Sequence, residues 1–488
     1  MDTDDREILA TFSAFMRRCL DYVEPGDEAA PVLVDVLREH LGQAPTSFPI
    51  ARMDIHPAEF VNLDVAVQAL VDDCGGGSLV GVGGGEQRHH MTLGDLLQGG
   101  WSGQIRSAAV DRARVATGPT TTREAVSFGA HLFSFPGPDG DPVVLLQRQS
   151  DPRHGRTAGL EVLAAPETAE AVLSRIRQNM SDHNVFRAQV VSFAEVSEEY
   201  EPSTGGISFH ERPRIDADQV ILPAGALERI HRHIVGTARH RAALQAAGQH
   251  LKRGLLLYGP PGTGKTHTVR HLIGSLEGVT CFLLSGNSLR FIAETATMAQ
   301  ALQPSVVVLE DVDLIAEDRG MHGPQPLLFS LLDAMDGLSG ESDIAFILTT
   351  NRADLLEDAL SQRPGRVDLA LHVPRPDAEE RLALLRLYAG SLPLRAPALG
   401  RASERPDGVT ASFFKELGRR TVLVAAEAGT EVNDDLLTEV LDEMLSDAET
   451  LTRTLLGVEP PSAEAGGRAE PNPLAGNFFT PPEDCGGC

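Results

Sequence analysis

"YGPPGTGKTH", residues 258–267, decides how this chain is read. Gly259 is followed, after four residues, by Gly264, Lys265 and Thr266, the G-x-x-x-x-G-K-[ST] spacing of a phosphate-binding loop. The stretch follows an apolar run, "GLLLY" (254–258), and precedes the helical pattern "THTVRHLIGSL", which is the strand–loop–helix setting this chemistry requires. Glycines at 259, 262 and 264 let backbone N–H groups close around a phosphate, where a helix N-terminus adds its positive end. Lys265 then reaches the outer phosphates, and the Thr266 hydroxyl is a ligand for Mg²⁺.

Outward from the loop, short apolar runs alternate with helical patterns. "GLLLY", "CFLLS" (281–285), "VVVLE" (306–310), "IAFILTT" (344–350) and "LALHV" (369–373) are near-continuous, as parallel strands covered on both faces must be. The run at 306 ends in Glu310 and Asp311, and acids at the C-terminal end of such a strand point into the crevice where ligands bind. One of the pair is expected in the Mg²⁺ shell and the next at an attacking water. The expected fold class is α/β, a five-stranded parallel sheet between helices.

With these motifs in place, residues 215–450 resemble an AAA+ ATPase of the AAA subfamily. "GPPGTGKT" looks like Walker A, with Gly259, Pro260, Pro261, Gly262, Thr263, Gly264, Lys265, Thr266 and His267 as the ATP-binding set. "VVVLEDVD" looks like Walker B, and "TTNRADLLEDALSQRPGRVDLALHVPRP" (349–376) like the second region of homology. The family's acids run Asp then Glu; here the order is Glu310 then Asp311, as in the branch similar to the mitochondrial Rieske-protein translocase. By position Glu310 would serve the metal and Asp311 the water. Asp311 is one methylene shorter, roughly 1.5 Å of reach, so either the water sits closer or hydrolysis is slow.

The resemblance further implies a sensor role for Asn351 and arginine fingers at Arg363 and Arg366, which reach into a neighbouring subunit's site. A ring follows from the fingers, most simply a hexamer. Val220 or Ile221 would pack on the base, and Ala411 and Ser412 would approach the ribose. The family's pore-loop position falls in "SGNSLRFIAETATMAQAL", where Phe291 and Ile292 would grip a polypeptide; Phe291 reads equally as a core residue of the following helix.

The rest of the chain carries less chemistry. Residues 1–45 read as an acidic helical segment, with Ile8, Phe12, Phe15 and Met16 on one face and Val32, Val34, Leu37 and Leu41 on another. "AHLFSF" (130–135), "PVVLLQ" (142–147), "LEVLAA" (160–165) and "AQVVSF" (188–193) read as strands of an α+β N-terminal domain over 46–194. Glycine-rich 74–90 reads as a loop, with His89 and His90 in solvent, and 195–214 as a linker. The ATPase large subdomain spans 215–376, a small all-α lid 377–456, and a disordered tail 457–488, whose Cys485–Cys488 "CGGC" is at most half a zinc site.

The formal charge is −27, and the two ends carry much of it: ten acids against four arginines in 1–45, and thirteen against two in 431–488. A surface of this sign repels nucleic acid, so no nucleic-acid partner is expected. No apolar run reaches membrane length and the N-terminus is acidic, so the expected setting is cytoplasmic, with no membrane partner. There is no H-E-x-x-H and no hydrophobic–Tyr–any C-terminus, so proteolytic coupling is not expected. The reading is ATP hydrolysis, with Mg²⁺, driving remodelling, unfolding or disassembly of a protein that the N-terminal domain recognises directly or through an adaptor. The alternative is a non-threading regulatory or scaffold ATPase whose nucleotide state sets assembly of a partner complex.

Overall fold

The computed structural model describes residues 30–84, 88, 91–98, 105–136, 140–149, 157–193, 206–313, 340–352, 367–406 and 408–446, with isolated positions at 11, 12, 14, 15, 333, 335 and 337. The chain divides into two units, Met1–Pro374 and Arg375–Cys488. Among the described residues no helix is long and apolar enough to cross a membrane.

The first unit holds two sheets. The N-terminal one is antiparallel, built from β1 (Ile50–Ile55), β2 (Gly77–Val82), β3 (Ser107–Ala108), β4 (Asp111–Ala116), β5 (Thr122–Phe135), β6 (Asp141–Arg148) and β7 (Ala158–Leu163). Its order is β1-β7-β6-β5-β2-β3, with β4 also on β5. Helices α1 (Leu33–Leu41) and α3 (Leu93–Gln98) bury Leu33, Leu37, Leu41, Leu93 and Leu96 against one face. Helices α2 (Phe60–Asp73) and α4 (Pro166–Asp182) cover the other with Leu63, Val67, Leu70, Val172 and Ile176. Covered on both faces, β7 is buried throughout, apolar except for Glu161, whose carboxylate meets Arg148 and Arg52.

Two expectations for this half are corrected. Helix α1, taken with the acidic segment 1–45, belongs to the same core as the sheet. Glycine-rich 74–90 is not simply a loop, because Gly77–Val82 is a strand paired with β5 and β3. Its glycines serve close backbone approach: a Cβ on Gly81 would stand 2.1 Å from the Ala109 carbonyl oxygen, and one on Gly77 2.5 Å from that of Leu132.

The second sheet runs β14-β10-β13-β12-β11-β8-β9. It comprises β8 (Val190–Phe193), β9 (Ile207–His210), β10 (Arg253–Tyr258), β11 (Thr280–Ser285), β12 (Ser305–Glu310), β13 (Ile344–Thr350) and β14 (Leu369–His372). All its pairings are parallel except β8 with β9. The five strands expected from the apolar runs are present, but the sheet has seven. Strands β8 and β9, expected in the N-terminal domain and the linker, extend it beyond β11. Four residues at 190–193 are too few for their pattern to declare which sheet they join. Packing decides it: Val191, Phe193 and Ile207 sit in one core with Phe282, Leu284 and Phe346 of this sheet, with Val115 and Ala125 of the other, and with Phe60 and Val61 of α2. On the opposite face, α6 (Lys265–Ser275) and α5 (Ala226–His231) bury Val269, Leu272, Ile273 and Ile230 against Leu255, Val306, Val308 and Ile347.

Residues 211–219, expected as the last part of the linker and the start of the ATPase subdomain, are strapped to this sheet by Arg212. Its guanidinium donates to the carbonyls of Ile273 (2.7 Å) and Leu276 (2.9 Å) at the end of α6, and to Val279 (2.7 Å) and Ala188 (3.0 Å). A cation at a helix C-terminus satisfies carbonyls that have no intrahelical partner.

The second unit, described by itself, is α8 (Ala378–Ala389), α9 (Ala396–Glu404), α10 (Ala411–Ala428) and α11 (Asp434–Leu445), following α7 (Ile292–Ala301) of the first. Its caps are local and strong: Asp377 and Glu380 form a capping box, the Asn433 side chain accepts from Asp435 and Leu436 N–H, and Gly429 ends α10 in the left-handed region. Phe413, Phe414, Leu417, Leu437 and Leu441 are its buried anchors. The tail from 447 onward, with Cys485 and Cys488, and the pair His89–His90 lie outside the described residues.

Arg212→Met keeps the apolar stem and removes the donors. It should lower the stability of the first unit by roughly 2–4 kcal/mol, from several carbonyls left without a charged donor, measured as a shift in the urea midpoint at unchanged slope.

Candidate functional site

The loop 259–264 connects β10 to α6 through three left-handed glycines: Gly259 at φ 149°, Gly262 at 77° and Gly264 at 102°. Gly264 is the N-cap of α6, and Gly259 also lies where a Cβ would meet the Val373 carbonyl oxygen at 2.1 Å. A side chain at either position would strain or shift the loop. Thr263 Oγ1 donates to Pro260 O at 3.0 Å, closing the loop across itself. Thr266 is the second residue of α6, and Pro261 is exposed on the loop.

Lys265 begins α6 and is 6% exposed. Its Nζ donates to Gly259 O (2.8 Å), Pro260 O (2.9 Å) and Asn351 Oδ1 (2.8 Å). Register explains the last contact: Tyr258 pairs with Thr350 in the parallel ladder, so Asn351 leaves β13 level with the start of the loop. Burial lowers the Lys265 pKa to about 8, against the opposing pull of Asp311 and Asp313.

From Asn351 the contacts pass to the acids after β12. Asn351 Nδ2 donates to Asp311 Oδ1 at 3.3 Å. Asp311 has φ 53°, in the left-handed region that a non-glycine residue adopts at a cost, and its N–H donates to Thr349 Oγ1 at 3.0 Å. That kink ends the strand's alternation and turns the carboxylate toward Asn351. Asp313, 7% exposed, accepts from Thr350 Oγ1 (2.9 Å) and from Asn351 N–H (3.1 Å). It holds the backbone from which the Asn351 side chain projects. The sequence signal for Asp313 is a third acid two residues past the Glu310–Asp311 pair.

Glu310 closes β12 opposite Ser285 of β11. Its Oε1 is buried and has no hydrogen-bond partner among the described residues. It lines a cleft of about 400 Å³ with Ser192, Phe193, His210, Ser285, Asn287 and Ser288. An unpartnered buried carboxylate oxygen at a strand's C-terminal end suits a hard cation, which takes oxygen ligands and keeps several waters. On that observation the residues fit Mg²⁺.

Gly259–Lys265, Glu310, Asp311 and Asn351 therefore meet at one end of one sheet. Other expected residues do not join them. His267 turns its ring along α6, and Nε2–H donates to Gln219 O at 3.0 Å. Ile292 is 2% exposed in the core beneath the sheet, so it offers no surface to a threaded chain; it opens α7 on the helix's inward face. Phe291 is half-buried, its ring 5.7 Å from that of Phe193 and capped by the Arg290 guanidinium at 4.7 Å. Val220 is buried and Ile221 partly so. Ala411, 8% exposed, and Ser412 start α10 in the second unit. Arg363 and Arg366 lie outside the described residues.

A bound phosphate would restore the charge that burial weakens on Lys265. Its pKa near 8 would rise on binding, so nucleotide uptake between about pH 8 and 9 takes up a proton and affinity falls as pH rises through that window. The dissociation constant of an ATP analogue should rise up to about tenfold from pH 7 to pH 9, and Lys265→Arg should flatten that dependence.

Residues 255–375 match the protein-family model described as "ATPase family associated with various cellular activities (AAA)". The chain is 32% identical over 239 residues to the ATP-dependent zinc metalloprotease FtsH of Synechococcus sp. (strain JA-2-3B'a(2-13)), covering 46% of this chain and 37% of that protein. It is 33% identical over 218 residues to FtsH of Mycobacterium tuberculosis (strain ATCC 25618 / H37Rv), covering 41% and 28%. It is 27% identical over 277 residues to the proteasome-activating nucleotidase of Pyrococcus furiosus, covering 53% and 69%. The match thus spans about a third of each FtsH relative. The phosphate-binding loop, the acids after β12 and Asn351 all fall inside the matched segment. Residues 255–375 of this chain are an AAA-family ATPase domain.

Proposed function

We propose that this chain hydrolyses ATP with Mg²⁺ and uses the cycle to remodel a protein substrate. The observation that carries the reading is the continuous line Lys265–Asn351–Asp311 beside the unpartnered oxygen of Glu310. In this reading the loop N–H groups and Lys265 bind the phosphates, and Thr266 with Glu310 holds the cation. Mg²⁺, when bound, neutralises charge on the phosphates. Asp311 accepts the proton of the attacking water and Asn351 orients it. The left-handed turn at Asp311 aims the shorter acid inward, which supports an active site despite the Glu–Asp order. Arg363 and Arg366 of a second copy complete the site, which makes a ring, most simply a hexamer, the working form. Val220 and Ile221 wall the nucleoside side of the loop, and helices α8–α11 serve as the lid.

A protein substrate is supported by the likeness to an ATP-dependent protease and a proteasome-activating nucleotidase. The N-terminal sheet is the surface that recognises substrate or adaptor. A second reading, regulation of a complex without threading, is favoured by the packing of the candidate gripping pair: Ile292 is buried and the Phe291 ring packs against Phe193.

An Asp311→Asn substrate trap tests both. The variant should bind ATP, stall before hydrolysis and retain a partner from native lysate only with ATP. Loss of that partner in Asp311→Asn with Phe291→Ala would favour threading, and retention would favour the non-threading reading. A partner held equally with and without ATP would count against nucleotide-driven remodelling.

A further inference from the structure

Residues 212–219 lie along α6 in the opposite direction to it. Arg212 bonds the carbonyls of Ile273 and Leu276 at its end. Pro213 O packs on Gly274, where a Cβ would approach to 2.5 Å. Ile215 O lies 2.6 Å from His271 Nδ1, and Gln219 O 3.0 Å from His267 Nε2. The strap thus descends the helix toward its N-terminus, and Val220 and Ile221 follow directly on its end. His267 is the third residue of α6, so the strap's end lies within about one helical turn of the loop, ~5 Å along the axis.

His271 is 4% exposed and faces a second imidazole, His231 of α5. The rings stack at 13° with centroids 4.9 Å apart, and their Nε2 atoms stand 2.7 Å apart. Donor accounting assigns the protons. A carbonyl oxygen only accepts, so His271 Nδ1 carries the hydrogen toward Ile215. With the His271 ring neutral, its Nε2 presents a lone pair and His231 Nε2–H is the donor to it. His231 is thereby required to hold a buried ring whose other nitrogen holds the strap.

We propose that His231, His271 and His267 are positioning residues that set the strap 212–221 as the nucleoside-side wall of the site, so that they govern discrimination between bases. The proposal rests on the reading of the loop as a nucleotide site. It goes beyond that reading by assigning base selectivity to a relay of imidazoles on α5 and α6 that touch no phosphate.

The test is binding of fluorescent ATP and GTP analogues to the full chain, for wild type, His231→Leu and His231→Gln. The Gln amide keeps a donor near the position of Nε2, whereas Leu removes it. His231→Leu should weaken ATP binding about five- to tenfold, the worth of one lost hydrogen bond, and bring the ATP and GTP affinities toward parity. His231→Gln should stay within about twofold of wild type. Hydrogen exchange at 213–221 should accelerate in His231→Leu and not in His231→Gln. Equal behaviour of the two variants, or unchanged selectivity and exchange in His231→Leu, overturns the positioning role. A wild-type chain that binds neither nucleotide overturns the nucleotide-site reading itself, and this proposal with it.

Discussion

One buried carboxylate ties together the ends of two neighbouring strands. Asp313 Oδ1 accepts from the Thr350 hydroxyl and from Asn351 N–H, and so fixes the end of β13 against the segment leaving β12. A buried carboxylate is only an acceptor and must find donors, and these two are supplied by the strand that lies between β12 and β10. With its backbone pinned there, Asn351 can bridge Lys265 on one side and Asp311 on the other. The glycine loop sets where Lys265 stands, and the left-handed turn sets where Asp311 points. Each of these features needs the parallel register of β10, β13 and β12, which places their C-terminal ends side by side.

The legible parts of this arrangement were those with local signatures. Gly259 to Thr266 follow from spacing, and the five strands from β14 to β11 from apolar runs that only doubly covered strands need. The acids after β12 and the polar residue after β13 follow from where such strands end. What escaped reading depended on distant partners. Strand β8 has four residues and joins the second sheet because Val191 and Phe193 find Phe282 there. The strand at Gly77–Val82 hides in a glycine-rich run because its glycines answer to the backbones of β5 and the turn after β3. Ile292 has the composition of a gripping residue but lies on the inward face of α7. Asp313 follows the Glu310–Asp311 pair closely, yet its partners are almost forty residues away.

The two sheets of the first unit share apolar packing. Phe193 lies in that shared core: its ring meets Phe282 and Phe291, and it also lines the cleft that holds Glu310. The N-terminal half therefore contributes two strands, a strap along α6 and part of the wall beside Glu310. A rearrangement of either half has a direct packing route to the other through that shared core.

The account stands most directly on ATP turnover by the full chain with Mg²⁺, measured for wild type beside Asp313→Ala. It predicts Mg²⁺-dependent phosphate release by wild type. In Asp313→Ala, nucleotide affinity should hold within a few-fold while kcat drops about ten- to a hundredfold, because Asn351 and Asp311 lose their alignment but the loop does not. Absence of hydrolysis by wild type, or an unchanged kcat in a folded Asp313→Ala, would contradict it.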